Sequence, residues 1–146
     1  MRIVVQRSLK SSVSVNNDIV GSIDKGLVLL VGFTDGDTSN DIDYMVKKVV
    51  NLRIFDDENG IMNKSILDVG GSILSISQFT LYAETKKGNR PSYINAMKGE
   101  NAIELYNEFN NKLGKYVSVE KGIFGADMEV NIMNDGPVTI ILESRG

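Results

Sequence analysis

The chain has 146 residues, a net charge of −3 and no histidine, cysteine or tryptophan. This length suggests a single domain over residues 1–146, because domains usually contain about 100 to 150 residues. The missing residue types exclude a Ser-His-Asp or Cys-His catalytic arrangement, a thiolate nucleophile and a zinc site with imidazole or thiolate ligands. Any catalysis must therefore use hydroxyl, carboxylate, amine or amide groups, the backbone or the substrate itself.

The pattern of apolar residues gives no sign of a membrane segment. The longest apolar run, residues 27–31, is far shorter than the about 20 residues that cross a bilayer. No secretion signal is expected in residues 1–7, so we expect a cytoplasmic protein. The negative net charge argues against a general nucleic-acid binder, since affinity for phosphate comes mostly from lysine and arginine.

Short segments of alternating or continuous apolar residues predict strands, and turn signals rich in glycine, asparagine and aspartate separate them. The predicted strands cover residues 3–6, 12–15, 19–23, 27–31, 73–77, 116–119, 128–132 and 138–142. The first four lie close together in the sequence, which favours antiparallel hairpins.

Two stretches are predicted to be helical. Thr38 or Ser39 can cap the first, which places five apolar residues on one face: Ile42, Met45, Val46, Val49 and Val50. The second begins near residues 91–92 and ends near residues 113–114. A break is expected within it at residues 98–99, because an interior glycine weakens a helix.

The order of these elements predicts an α+β fold. We expect a curved sheet, mixed or antiparallel, or a partly closed barrel, with the helices on one side. Residues 56–60 are expected to form a solvated turn, because their carboxylates do not have the spacing of a calcium-binding loop.

The end of the predicted strand 73–77 is the first candidate site. Ser77, Gln78 and Thr80 are polar and surround Phe79. Backbone N–H groups at such a strand end can remain unpaired and stabilise an oxyanion. Thr80 is a candidate nucleophile, although the chain has no histidine to activate it. The alternative is a strand end whose hydroxyl groups are satisfied by local hydrogen bonds.

Three other segments allow both a functional and a structural interpretation. Pro137 must begin a strand, lie on a sheet edge or lie in a turn, because proline has no N–H to donate. Residues 122–128 form a tight loop that either lines a pocket or turns the chain. A basic patch is either a phosphate site at a helix start or a solvated loop face. It consists of Lys86, Lys87, Arg90 and Lys98.

Taken together and in this order, these segments resemble the dimeric family of D-aminoacyl-tRNA deacylases. The resemblance extends over residues 1–7, 53–57, 62–63, 68–71, 77–81, 90–92, 124–128 and 136–139. Its most specific motifs are Ser-Gln-Phe-Thr at residues 77–80 and Gly-Pro-Val-Thr at residues 136–139. Residues 8–12 depart from the family, which usually has a valine and an alanine there.

The resemblance implies a chiral proofreading enzyme of translation. Such an enzyme hydrolyses the ester that links a D-amino acid to the terminal ribose of tRNA, and it also removes glycine mischarged on tRNA(Ala). The family implies a homodimer with active sites at the interface, and no cofactor, metal or membrane partner. Gly136 and Pro137 match the family's cis Gly-Pro pair. That pair reaches into the partner subunit's site, faces the α-amino group and leaves no room for an L side chain.

The resemblance also implies residue roles. Ser77, Gln78, Phe79 and Thr80 form the catalytic strand end, with the backbone N–H groups of Phe79 and Thr80 near the oxyanion. Ser77 and Gln78 help to hold the ester and the ribose. Either Thr80 or the 2′-hydroxyl of the tRNA handles the proton, and we favour the 2′-hydroxyl, because a threonine without a base is a poor nucleophile. Phe124 and Met128 line the adenosine pocket, and Lys86, Lys87 and Arg90 meet acceptor-stem phosphates.

A second interpretation is a non-catalytic homodimer that binds nucleic acid, since some eukaryotic members of the family have been linked to DNA replication origins. A binding protein would show salt-dependent affinity and no turnover. The enzyme would release amino acid catalytically from D-aminoacyl-tRNA. The acidic net charge favours the enzyme.

Overall fold

A computed structural model describes residues 1–145 and contains ten strands and three helices. The strands are β1 (Arg2–Ser8), β2 (Ser11–Val15), β3 (Asp18–Ile23), β4 (Gly26–Gly32), β5 (Phe55–Asp56), β6 (Met62–Lys64), β7 (Ser72–Ser77), β8 (Val119–Lys121), β9 (Glu129–Asn131) and β10 (Asn134–Glu143). The helices are α1 (Ser39–Asn51), α2 (Ile66–Val69) and α3 (Gly99–Leu113). None of these helices is long and apolar enough to cross a membrane.

Five strands form a mixed sheet in the order β10-β1-β4-β7-β8. β1 runs antiparallel to both β10 and β4, whereas β4, β7 and β8 run parallel to one another. β2, β3 and β9 form a second, antiparallel sheet. The predictions of an α+β fold and a mixed sheet are confirmed. The partly closed barrel is wrong, because β10 and β8 lie at opposite edges of the sheet and do not pair with each other.

The two faces of the five-stranded sheet are covered differently. Met45 of α1 and Phe109 of α3 share one buried cluster with Ile73 of β7. On the opposite face, Val13 of the smaller sheet belongs to a second cluster with Leu74. Successive side chains of β7 therefore enter two separate cores, as the alternation of a strand requires. The expected placement of the helices on one side is confirmed.

The sequence signals for α1 agree with its observed start and buried face. Thr38 is the N-cap: its hydroxyl accepts from the Asn40 N–H at 3.2 Å, and the Asp41 carboxylate accepts from the Thr38 N–H at 2.9 Å. Burial opposes the ionisation of Asp41. Hydrogen bonds from Ser144 and Thr38 and the charge of Arg145 outweigh this effect, so the pKa of Asp41 lies below its usual value. All five apolar residues predicted for the buried face are buried.

Two predicted elements differ from the structure. Residues 91–98 are not helical, because the Met97 N–H donates to the Phe33 oxygen at 3.0 Å and tertiary pairing replaces the helix. The predicted break is instead the start of α3, with Lys98 as its N-cap. The strand predicted at residues 116–119 begins only at Val119, since the Tyr116 N–H closes a turn after α3.

The predicted turn at residues 56–60 is confirmed and lies in the β5–β6 hairpin. One carboxylate oxygen of Asp57 accepts from the Asn59 and Ile61 N–H groups at 2.9 and 3.0 Å. The hydrogen bond from Ile61 is the largest influence on the pKa of Asp57, which is lowered. This carboxylate therefore organises the turn.

A candidate active-site cavity at the end of β7

A cavity of about 680 Å³ opens where β4 and β7 end. This volume lies in the range of small-molecule sites. Its walls come from the ends of the two strands, from the chain that leads into α3, and from the loop before β9. The lining residues are Val31, Gly32, Phe33, Ile76, Ser77, Gln78, Phe79, Tyr93, Ala96, Met97, Lys98, Gly99, Ala102, Phe124, Gly125, Ala126, Asp127, Met128 and Val130. Within residues 1–145, no group of three carboxylates is placed to hold a metal ion.

The backbone turns sharply at the cavity edge. The Gln78 N–H still donates to the Val31 oxygen at 2.8 Å, so the pairing of β7 with β4 extends to this residue. A short 3-10 helix, Phe79–Tyr82, follows. The N–H groups of Phe79 and Thr80 begin this helix and have no hydrogen-bond acceptor within residues 1–145. Two neighbouring unpaired donors therefore lie in this turn: Phe79 lines the cavity, and Thr80 is the next residue along the chain.

Strands β1 and β4 hold this turn in place. Nη1 of Arg2 donates to the Leu81 oxygen at 2.6 Å, and the guanidinium lies 4.7 Å from the centre of the Tyr82 ring. A Cβ at position 32 would lie 2.9 Å from the Gln78 oxygen, so the close approach of β4 requires Gly32. The position of the two donors is therefore set by neighbouring strands.

The hydroxyl group of Thr80 has an amide as its partner. Nε2 of Gln78 donates to Oγ1 of Thr80 at 2.6 Å. An amide does not take up a proton near neutral pH, so this contact does not activate the hydroxyl as a nucleophile. Ser77, Gln78 and Phe79 line the cavity, whereas Thr80 lies outside the lining.

The predicted pocket residues Phe124 and Met128 both line the cavity. The Phe124 ring lies 5.7 Å from the Tyr106 ring of α3. The Tyr106 hydroxyl donates to the Ser75 oxygen at 2.8 Å, and burial raises the pKa of this phenol, so it remains a neutral donor. The loop that carries Phe124 is therefore packed against a helix that is itself tied to β7.

Gly136 and Pro137 lie far from this cavity in the same chain. In the sheet, Ser77 of β7 is opposite Val31 of β4, which is opposite Ile3 of β1, and Ile3 is opposite Leu142 of β10. Pro137 precedes Leu142 by five residues and lies three strands away from β7. At ordinary strand spacings the separation from Ser77 is about 20 Å. The peptide bond between Gly136 and Pro137 is cis, in agreement with the resemblance.

Arg7 anchors the turn at the start of β10. Its side chain is largely buried, and it donates to the main-chain oxygens of Asp135 and Ile54 at 3.0 and 2.9 Å. Gly136 has a φ of 136°, which favours glycine. A Cβ there would lie 2.8 Å from Cγ2 of Val138 and 3.0 Å from Nη2 of Arg7. The turn therefore has little room for a side chain.

The basic residues Lys86, Lys87 and Arg90 are exposed on a loop outside the cavity. Glu84 and Ser92 close this loop through two main-chain hydrogen bonds of 2.7 and 2.9 Å. The loop leads directly to Tyr93, which lines the cavity. The structure thus brings the basic loop to the cavity mouth without placing these three residues in the wall.

Several wall residues were missed by sequence reasoning, among them Phe33 and Tyr93. Phe33 reaches the cavity because β4 pairs in parallel with β7, and no local sequence signal marks that pairing. Tyr93 lies in the segment predicted to be helical. Ala102 lies in the second predicted helical stretch, but helical spacing alone does not reveal that its face lines a cavity.

Residues 4–143 match a family model described as D-Tyr-tRNA(Tyr) deacylase. A solved structure described as "c-Myc DNA Unwinding Element Binding Protein" superposes with a TM-score of 0.95 at 43% sequence identity, covering 100% of both chains. Another, described as "Structural Analysis of a probable eukaryotic D-amino acid tRNA deacylase", has a TM-score of 0.81 at 18% identity, covering 97% of each chain. At this low identity, the second likeness shows the shared fold alone.

Proposed function

This chain belongs to the D-Tyr-tRNA(Tyr) deacylase family, and we propose that its cavity hydrolyses D-aminoacyl-tRNA with backbone donors and the substrate's own hydroxyl group. The chain is a hydrolase that acts on aminoacyl-tRNA. The observation that carries the proposal is the pair of unpaired N–H groups on Phe79, which lines the cavity, and on Thr80, which follows it in the same turn. We place this activity in the cytoplasm, where aminoacyl-tRNA is used.

The two N–H groups suit the charge that develops during ester hydrolysis. Water adds to the ester carbon, and the former carbonyl oxygen becomes negative before the bond to the ribose oxygen breaks. Donors that already point at this oxygen stabilise it without reorganisation, and one such donor typically contributes about 100- to 1,000-fold in rate. Ser77 and Gln78 line the same edge, where they hold the ester and the terminal ribose.

The substrate's 2′-hydroxyl handles the proton in this proposal. The Thr80 hydroxyl is partnered by the Gln78 amide and lies outside the cavity lining. An aminoacyl ester carries a hydroxyl group next to the reacting oxygen, so the substrate itself can take up a proton from the attacking water as it passes its own proton to the leaving ribose oxygen. Phe124 and Met128 supply the apolar surface for the terminal adenosine.

A second copy of the chain completes the site. Gly136 and Pro137 are about 20 Å from Ser77 in one chain, so they can face the same substrate only across a dimer interface. Leu9 and Met133 are hydrogen-bonded neighbours near this turn and expose 41% and 56% of their surface. Exposed apolar surface of this kind suits a contact with another protein chain.

The partner's Gly136 and Pro137 reject L-amino acids in this arrangement. Their main-chain oxygens face the α-amino group of the substrate, and the surrounding backbone occupies the space of an L side chain. Selection by exclusion does not require contacts to a D side chain. The enzyme therefore accepts many D-amino acids and also hydrolyses glycyl-tRNA, including glycine mischarged on tRNA(Ala).

Deacylation of matched D- and L-aminoacyl-tRNA tests the proposed function. The purified protein is expected to release the D-amino acid and glycine with turnover while it spares the L ester. The Phe79 and Thr80 donors cannot be removed by side-chain changes, so the stereoisomers provide the control. Equal rates on both stereoisomers, or no turnover on either, would contradict the proposal.

A nucleic-acid-binding role is the second candidate, because the similar structure at 43% identity is described as binding a DNA unwinding element. Binding of an oligonucleotide with steep salt dependence and no effect of aminoacylation would favour this role. Catalytic release of D-amino acid would favour the enzyme. The two outcomes can be measured on the same preparation.

A further inference from the structure

Two aromatic rings stand at the mouth of the cavity. Phe79 and Tyr93 both belong to the lining, and their ring centres lie 5.1 Å apart in an edge-to-face arrangement. Phe79 exposes 57% of its surface and Tyr93 exposes 43%. The contact with Phe79 orients the Tyr93 ring while much of that ring remains open to solvent. An exposed aromatic ring that is held in place by a second ring is a suitable surface for stacking by a planar ring of a ligand.

Four basic residues lie in or near this mouth, and Asp127 is the one carboxylate among the lining residues. Lys98 lies in the cavity wall, and the loop just before Tyr93 carries Lys86, Lys87 and Arg90. The only carboxylate between residues 84 and 98 is that of Glu84, which accepts from the Lys86 N–H at 3.0 Å. A partner that combines flat rings with negative charge fits both features. Single-stranded nucleic acid has this combination, with bases that stack on aromatic side chains and phosphates that attract lysine and arginine.

We propose that Tyr93 is a stacking platform for the base of the nucleotide that precedes the terminal adenosine of the tRNA. This inference rests on the proposed function, which places the terminal adenosine against Phe124 and Met128. The strand must leave the cavity through its mouth, where Tyr93 is the exposed ring beside the basic loop. Stacking there holds the unpaired end in line with the Phe79 and Thr80 donors.

Two substrates separate this role from a structural one. D-tyrosyl-tRNA contains the penultimate nucleotide, whereas the D-tyrosyl ester of adenosine lacks it. Tyr93→Ala is expected to raise KM for the tRNA by about 5- to 150-fold, which is the range of base–aromatic stacking, with kcat little changed. The same variant is expected to lose much less on the adenosine ester than on the tRNA, because the ester lacks the stacking base, and Tyr93→Phe is expected to retain the wild-type KM for the tRNA.

Tyr116→Ala is the matched control, because Tyr116 is an exposed tyrosine in the turn after α3 and outside the cavity lining. This variant is expected to behave as wild type on both substrates. An equal defect of Tyr93→Ala on the tRNA and on the adenosine ester would overturn the stacking role, and so would a normal KM for the tRNA. Failure of the wild-type protein on both substrates would instead contradict the proposed function.

An abasic nucleotide at the penultimate position provides an independent test. Wild-type KM is expected to rise on this tRNA to the value that Tyr93→Ala shows on the normal tRNA. Tyr93→Ala is expected to lose nothing further on the abasic tRNA, because the base and the ring act as one pair. Additive losses would show that Tyr93 and the base act separately, and would overturn the inference.

Discussion

Nε of Arg7 lies 3.0 Å from the main-chain oxygen of Asp135, and this hydrogen bond joins the first strand to the turn that carries Gly136. The same guanidinium reaches the Ile54 oxygen at 2.9 Å. One buried side chain therefore connects three segments that are distant in the sequence. In the proposed dimer, this is the turn that one subunit presents to its partner.

Arg7→Ala is expected to destabilise the chain by about 2 to 3 kcal/mol, because it leaves two partly buried oxygens without their donor. It is also expected to lower discrimination between D- and L-aminoacyl-tRNA, since the turn loses its anchor. Urea unfolding measures the first effect and deacylation of the two stereoisomers the second. Arg53→Ala is the control, because Arg53 is an exposed arginine that donates to a single main-chain oxygen, that of Asn63. Wild-type discrimination in a folded Arg7→Ala protein would contradict the positioning role.

Thr80→Ala is expected to retain measurable deacylation, with a loss of less than about tenfold, because the backbone donor of residue 80 remains. The hydroxyl has an amide partner, which cannot take up its proton, and in the proposed mechanism it is not the nucleophile. Single-turnover rates on D-aminoacyl-tRNA measure the effect. Complete loss of activity in a folded variant would return the nucleophile role to Thr80.

A tRNA with a terminal 2′-deoxyribose is expected to be deacylated at least about 100-fold more slowly, because the proton donor next to the leaving oxygen is missing. The comparison uses the D-aminoacyl ester at the 3′ position in both substrates. The deoxy substrate is still expected to inhibit deacylation of the normal D-aminoacyl-tRNA by the wild-type protein, since its terminal adenosine still binds. An unchanged rate would rule out participation of the 2′-hydroxyl.

Gly136→Ala is expected to damage activity or chiral selection, because its φ of 136° disfavours a side chain and the new Cβ meets Val138 and Arg7. Gly60→Ala is the control for backbone strain, since Gly60 has a φ of 75° and no atom within 4 Å of a new Cβ. The Gly136 variant should show an altered D/L ratio, and the Gly60 variant an unchanged one.

Mixing two inactive variants tests whether the site crosses the interface. Ala102→Trp fills the cavity, while Gly136→Ala alters the turn, and each variant alone is expected to be impaired. Dimers that exchange subunits acquire one intact cavity facing one intact turn, so about a quarter of the wild-type activity is expected to return. If the mixtures demonstrably exchange subunits but no activity returns, the cavity of one subunit and the Gly136 turn of the other do not form a shared site.

Asp41 provides a prediction of pH dependence. Its pKa is lowered in the folded chain, so its contribution to stability is present above the ordinary pKa of 3.8 and is lost as the pH falls through the folded value. Asp41→Asn is expected to reduce the free energy of unfolding at pH 7 by about 1 to 3 kcal/mol. This difference from wild type should shrink towards pH 3 in urea unfolding. A difference that is independent of pH would contradict the assigned role of the charge.

Much of the fold was accessible from local sequence patterns. α1 was predicted well because Thr38, Asp41 and the apolar spacing all act within a few residues. The segment around Ile94 and Met97 offered only one helical turn of apolar spacing, and the contact of Met97 with Phe33 decided its conformation. The parallel pairing of β4, β7 and β8 depends on contacts between distant segments, so the sequence patterns could not reveal it.

The candidate site likewise contains residues that local motifs predicted and residues that depend on contacts between distant segments. Ser77, Gln78, Phe79, Phe124 and Met128 meet around one cavity, and the first three are adjacent in a single motif. Tyr93 was missed, because its position depends on how its loop folds over β7. The distance of Gly136 from the cavity becomes apparent only when the registers of four strands are known.

The pairing of β1 with β10 also has a consequence for synthesis on the ribosome. Residues 2–8 are made well before the strand at residues 134–143, which is one of their partners. Native pairing along this edge must wait until more than 120 further residues have been made, and closing so long a loop makes such folds slow to form. Until that strand is made, one edge of β1 remains unpaired, and an unpaired strand edge is a site where other chains can pair.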